Sequence, residues 1–106
     1  MVAWLNACDY CTCVHEEIAR RLGIDAPTLE TLGDFARSPR FNDAERAALH
    51  AAVVLTREPR ALPPAISDAL KSNYDSSQCV EILSAIGLNN YLSRLSNALS
   101  LGEHPS

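Results

Sequence analysis

The sequence predicts an all-α fold of about five helices in a compact domain. Apolar residues recur at three- and four-residue intervals along most of the 106 residues, and no stretch alternates apolar and polar residues as a half-buried strand does. Proline, glycine and capping residues separate the helical stretches. With 47% apolar residues and no long block of like charge, the chain has the composition of one domain, expected to span residues 1–106.

The first full helix is expected from about Asp9 to Leu22. Gly23 ends it, since glycine is a common residue just beyond a helix C-terminus. Upstream, Val2–Leu5 has the pattern of a last helical turn. We therefore expect a domain that is shortened at its N-terminus and lacks an upstream helix.

Capping residues predict the next helices. Asp25 caps a short helix that ends near Gly33. Asn42 and Glu45 have the spacing of a capping box, and the helix that they begin ends before Pro59. The remaining predictions are a fourth helix from Pro63 or Pro64 to about Lys71, a cap within Asn73–Asp75, and a last helix from Ser76 to about Leu99.

The last helix is unusually long for so small a domain. Its expected inward positions are Val80, Leu83, Ile86, Gly87, Tyr91, Leu95 and Leu99. Five helices of these lengths leave apolar surface that a partner must cover, so we expect homo-oligomerisation to complete the domain. The tail Gly102–Ser106 is expected to fray.

The most informative residues are Cys8, Cys11 and His15, which are candidates for a catalytic site. Their spacing of three and four residues places them on one face of a helix, and the face continues through Ile18 and Leu22, so the thiols should be partly shielded. Two thiols one turn apart can form a disulfide, and an imidazole one turn further on can exchange protons with the nearer thiol. The pattern suits thiol redox chemistry.

Simpler interpretations of these residues stay open. The less favoured interpretations are a structural disulfide or buried small side chains for the cysteine pair, and an ordinary helix residue for the histidine. A zinc site would draw on Cys8, Cys11, Cys13 and His15, although one continuous helix cannot wrap all four around an ion. Cys13 is expected to point away from the shared face, and Cys79 to lie in the core.

Composition excludes several functions. A net charge of -4 without a basic face argues against nucleic acid, and no apolar run approaches the length of a membrane span. No secretion signal is recognisable, and clustered cysteines in such a chain favour redox chemistry over an extracellular disulfide framework. We expect a cytoplasmic protein that needs no cofactor and no metal.

The motif Cys8-x-x-Cys11-x-x-x-His15 followed by Ile18-Ala19-Arg20 and Gly23 resembles the alkylhydroperoxidase D-like branch of the carboxymuconolactone decarboxylase family. The resemblance continues through 45–49, 55–57, 80–82 and 90–99. It implies an all-α fold assembled as trimers or hexamers. It also implies peroxide reduction through the paired cysteines, since the decarboxylase branch generally lacks that pair.

The resemblance also assigns roles. Cys11 attacks the peroxide, and Cys8, expected nearer the solvent, condenses with the resulting sulfenic acid. His15 relays protons, and a dithiol such as a lipoyl group or a thioredoxin-like protein reduces the disulfide. Redox members carry a relay glutamate about one helix upstream, which this chain is expected not to contain. Glu16 or Glu17 is a weak substitute for orienting the histidine, because neighbours in sequence point around the helix rather than along it.

The functional prediction is a thiol-dependent peroxidase that reduces hydroperoxides. The alternatives are a non-catalytic oligomeric or redox-sensing module of the same fold and, less favoured, an enzyme of the decarboxylase type.

Overall fold

The computed structural model describes residues 1–58 and 61–100, and within these ranges the protein is all-α, as predicted. No β-strand occurs in them. The helices are α1 (Val2–Leu5), α2 (Asp9–Arg21), α3 (Ala26–Glu30), α4 (Asp43–Arg57), α5 (Pro64–Asn73) and α6 (Ser76–Ala98), with a 3₁₀ turn at Leu32–Asp34. The five predicted helices correspond to α2–α6, and α1 is the predicted isolated turn. The expected fraying of Gly102–Ser106 lies outside the described residues.

Local signals end α2 where the sequence predicted. Gly23 adopts a φ of 94°, in the left-handed region that favours glycine. Its N–H donates to the Arg20 carbonyl (3.1 Å), and the Ile24 N–H donates to the Ala19 carbonyl (3.0 Å), so the free carbonyls at the end of the helix are satisfied. The chain then turns directly into α3.

Side-chain oxygen atoms cap the start of three of the helices. The Asp25 carboxylate accepts from the Thr28 N–H (2.9 Å) at the start of α3. At α4, Asn42 and Glu45 form the predicted reciprocal capping box. A second capping box begins α6; its members are Asp75 and Gln78.

The main hydrophobic core lies where α4, α5 and α6 meet beneath α1. Its buried members are Val2, Ala47, Ala51, Ala52, Leu70 and Ile86. The three alanines leave room for the neighbouring helices to approach α4 closely. The Tyr74 hydroxyl donates to the Ala44 carbonyl in the first turn of α4 (2.8 Å). This hydrogen bond holds the turn between α5 and α6 against α4.

The predicted inward face of α6 is wrong except at Ile86. The buried positions are Ile86, Asn90, Ser93 and Ser96, whereas Tyr91 is 63% exposed and Val80, Leu83, Leu95 and Leu99 are also exposed. The helix is apolar on two sides, and periodicity favoured the side with the larger residues. The smaller, more polar side faces α1 and α4 because Asn90 finds hydrogen-bond partners there.

No helix in the described residues is both long and apolar enough to cross a membrane. Although α6 is 23 residues long, neither it nor any other helix in the described ranges has the sustained hydropathy of a membrane-spanning segment.

Candidate active site

The paired cysteines occupy the first turn of α2. Cys8 is the N-cap residue, and its sulfur accepts from the Cys11 N–H at 3.3 Å. The Cys8 N–H donates to the Ala3 carbonyl (3.0 Å), which fixes the start of α2 against α1. The two cysteines are joined in a disulfide, with 5.3 Å between their α-carbons. The sequence prediction that these two thiols lie within bonding reach is confirmed.

Both sulfur-bearing residues are buried more completely than expected. Cys8 is 1% exposed and Cys11 is 7% exposed, and together with Ala3 they form a small cluster separate from the main core. The expectation that Cys8 lies nearer the solvent is wrong. As the N-cap residue it lies under α1, whereas Cys11 is three residues further along α2 and retains the greater access.

His15 lies one turn beyond Cys11 on the same helix. Side chains four residues apart are neighbours on a helix surface, so the imidazole is within reach of the disulfide's surroundings. The predicted inward stripe does not continue past Cys11, however. His15 and Ile18 are exposed and Leu22 is 77% exposed, because α2 packs on α1 and α6 mainly through its first turns.

A cavity of about 410 Å³ lies between α2 and the end of α3, one residue away from the disulfide: Ala3 lines it, whereas neither cysteine is among its described lining residues. Its polar lining comes from Thr12, His15 and Glu16 on α2 and from Glu30 at the end of α3. Ala3 lines the cavity and also packs against both cysteines, so it is the residue that links the cavity to the disulfide. The volume is in the range of small-molecule sites.

The structure separates the two glutamates that the sequence offered as partners of His15. The Glu17 carboxylate accepts a hydrogen bond from Arg21 (3.1 Å) and is not part of the cavity wall. Glu16 lies 4.0 Å from Arg20 and does line the cavity with His15. Glu16 is therefore the one of the two that shares the histidine's surroundings.

Sequence reasoning missed Glu30. This residue lies 15 positions from His15 and reaches the same cavity only because the chain turns at Gly23 and brings the end of α3 to the cavity wall. No local pattern could have indicated it. The useful signal was the tight turn between two helices, which brings the residues of the second helix back towards the first.

The other two cysteines lie apart from the pair. Cys13 is a free thiol and exposed, in agreement with its expected direction away from the pair, and Cys79 is a free thiol that packs partly buried against the main core. Within the described part of the chain, no group of three or more histidine, cysteine, aspartate or glutamate side chains is placed to hold a metal ion.

Comparison with known proteins places this geometry in a family. The model of the carboxymuconolactone decarboxylase family matches residues 1–53, the half of the chain that carries the disulfide, His15 and the cavity. The chain belongs to the carboxymuconolactone decarboxylase family.

One relative is similar over nearly the whole of this chain. An uncharacterized protein of Escherichia coli (strain K12), YnjA, is 28% identical over 101 residues, covering 94% of this chain and 55% of YnjA. The chain thus spans about half the length of that curated relative.

A solved structure shows the same fold. The crystal structure of ATU0492 from Agrobacterium tumefaciens, a protein of unknown function named as a candidate antioxidant defence protein AhpD, superimposes with a TM-score of 0.89 at 23% identity. The match covers 99% of this chain and 72% of that one. The predicted alkylhydroperoxidase D-like fold is therefore confirmed.

Proposed function

We propose that the protein is a thiol-dependent peroxidase that reduces organic hydroperoxides through Cys8, Cys11 and His15. The observation that carries the proposal is the joined cysteine pair in the first turn of α2, beside a cavity whose wall includes the histidine one turn on. The unpaired N–H groups and the dipole at a helix start favour a thiolate there. Membership of a family with redox branches supports the same chemistry.

The catalytic cycle begins with the reduced pair. The Cys11 thiolate attacks the terminal oxygen of the hydroperoxide, the O–O bond breaks, and the alkoxide leaves with a proton from His15 as the alcohol. Cys11 is now a sulfenic acid. The Cys8 thiol then attacks its sulfur, the disulfide forms, and hydroxide leaves and is protonated to water. The two electrons that reduce the peroxide come from the two thiols.

Burial supports this division of roles. Cys11 is the more exposed of the two, so we assign it the attack on the peroxide, whereas Cys8 needs to reach only Cys11. An external dithiol, such as a lipoyl group or a thioredoxin-like protein, restores the pair by thiol–disulfide exchange at Cys11. Because the disulfide is almost completely buried, a reductant with a narrow reactive end, such as a lipoyl group, can approach it most easily.

The experiment that tests the proposal is hydroperoxide consumption with dihydrolipoamide as reductant. We expect turnover by the intact chain and its loss, by at least about a hundredfold, in Cys11→Ser. Cys13→Ser is the matched control, since Cys13 lies on the same helix but is exposed and unpaired. Equal turnover by the intact chain and by Cys11→Ser would contradict the peroxidase assignment.

The near-complete burial of Cys8 also favours a second candidate, a non-catalytic module of the same fold whose disulfide is structural. For that candidate we expect no peroxide consumption and a large loss of stability on reduction. A peroxidase must instead stay folded with the pair reduced, which circular dichroism in the presence of the reductant measures directly.

A further inference from the structure

Two carboxylates lie on the wall of the cavity beside the disulfide. Glu16 enters from α2, and Glu30 enters from the end of α3. No arginine or lysine is among the residues described along this wall, although His15 and Met1 also line it. Burial lowers the pKa of the Met1 amino group, which favours its uncharged form. Arg20, 4.0 Å from Glu16, lies outside the lining and its side chain is more than half exposed, so it offsets the charge of Glu16 only in part.

The rest of the wall is largely apolar. Ala3, Ala19, Leu29 and Leu32 contribute to it, and Ala3 also contacts both cysteines. Neither cysteine is among the residues described along the wall, so Ala3 connects the cavity to the pair. An apolar molecule that fills the cavity therefore packs against Ala3 and shares the cavity with the two carboxylates. A negative charge on that molecule would share the cavity with both carboxylates and be repelled by them. Solvent weakens this repulsion without removing it, since Glu30 is exposed and the Glu16 side chain is about half exposed.

Building on the proposed peroxidase function, we propose that the cavity selects uncharged organic hydroperoxides and rejects those that carry a carboxylate, with Glu16 and Glu30 setting this specificity. The apolar wall binds the organic part of the hydroperoxide, and the two negative charges weaken the binding of hydroperoxides that carry a carboxylate. The substrates of this class are neutral alkyl or aryl hydroperoxides rather than the hydroperoxides of free fatty acids.

A matched pair of substrates tests the specificity. Cumene hydroperoxide with a para-carboxylate and its methyl ester share one reacting group and differ in charge. We expect kcat/KM for the ester to exceed that for the acid by about tenfold, and the ratio to fall as salt is added, because salt screens the repulsion. Equal kcat/KM for the two substrates would overturn the inference and leave the peroxidase function standing.

Variants identify the residues responsible. Glu16→Gln and Glu30→Gln should each raise kcat/KM for the acid about threefold and leave the ester almost unchanged. Glu17→Gln is the matched control, because Glu17 is the neighbouring carboxylate on α2 and likewise pairs with an arginine, but does not line the cavity. An effect of Glu17→Gln equal to that of the two cavity variants would also overturn the inference.

A binding measurement keeps the inference testable if neither substrate is consumed, an outcome that would remove the peroxidase function. The unreactive tertiary alcohols of the same pair are titrated while the His15 ring resonances are followed; the sequence has three histidines, so assignment is simple. We expect the ester alcohol to shift these resonances and the carboxylated alcohol to bind at least about tenfold more weakly. Equal affinity, or no shift with either alcohol, would overturn the inference.

Discussion

At the scale of single residues, Asn90 is the side chain that, among the described residues, hydrogen-bonds to the largest number of separate elements. Its amide nitrogen donates to the Thr56 hydroxyl on α4 (3.1 Å) and to the Ile86 carbonyl (3.0 Å), and its oxygen accepts from Asn6 (2.8 Å). Asn6 lies between α1 and α2, next to the cysteine pair. One buried amide thus connects the site's first turn to the centre of the fold.

Replacing Asn90 should lower the stability of the fold more than replacing an asparagine that bonds only within its own helix. We expect Asn90→Ala to lower the free energy of unfolding by about 2–3 kcal/mol, because three hydrogen bonds are lost and Thr56 and Asn6 keep unpaired polar groups in partly buried positions. Urea unfolding measures the change. Asn89→Ala is the matched control, since among the described residues its amide donates only to the Ala85 carbonyl of its own helix. A loss as large in Asn89→Ala would contradict the argument.

At the scale of elements, α3 matters beyond its five residues because it carries Glu30 and Leu29 to the cavity. Its start depends on Asp25. Hydrogen bonds from the Thr28 side chain and backbone hold the pKa of the Asp25 carboxyl below its usual range, with a smaller contribution from Arg40. A carboxyl whose pKa is lowered by folding stabilises the fold when it is ionised, so this contribution is lost as the pH falls through the folded pKa.

We therefore expect α3 to loosen in acid before the main core does. Amide exchange of Thr28 and Leu29, followed by NMR, should accelerate as the pH falls below about 4, relative to amides in the middle of α4. Asp25→Asn keeps the cap without the ionisation, so in that variant the relative acceleration should disappear. Asp68→Asn, on the exposed side of α5, should behave like the unaltered chain; retention of the acid effect in Asp25→Asn would contradict the assignment.

The caps show why much of the element order could be predicted and the packing could not. Asn42 with Glu45 and the turn at Gly23 act within a few residues, so the sequence contains the whole interaction. The buried side of α6 and the approach of Glu30 to His15 depend on other helices. Cys8, Cys11 and His15 could be named because their spacing is local, whereas the order of exposure of the two cysteines could not, since α1 decides it.

At the scale of the whole molecule, two apolar surfaces have no covering element within the described residues. The larger runs along the outer side of α6; its exposed members include Val80, Leu88, Tyr91, Leu95 and Leu99. These positions lie opposite the buried Ile86 and Asn90, so the described part of the chain cannot cover both sides of α6 at once. The second surface is the later part of α2, where Ile18 and Leu22 are exposed.

Exposed apolar surfaces of this kind support the prediction that the protein forms homo-oligomers. In such an oligomer, residues 1–106 of each chain would form a single domain. We expect light scattering coupled to size-exclusion chromatography to give a mass of several chains at micromolar concentration. Leu95→Glu should shift the protein towards the monomer, because it places a charge in the middle of the α6 surface. Ala65→Glu adds the same charge at an exposed position of α5 and should leave the assembly intact. A monomeric unaltered chain would contradict the prediction, and dissociation by both variants would show that charge rather than the α6 surface controls assembly.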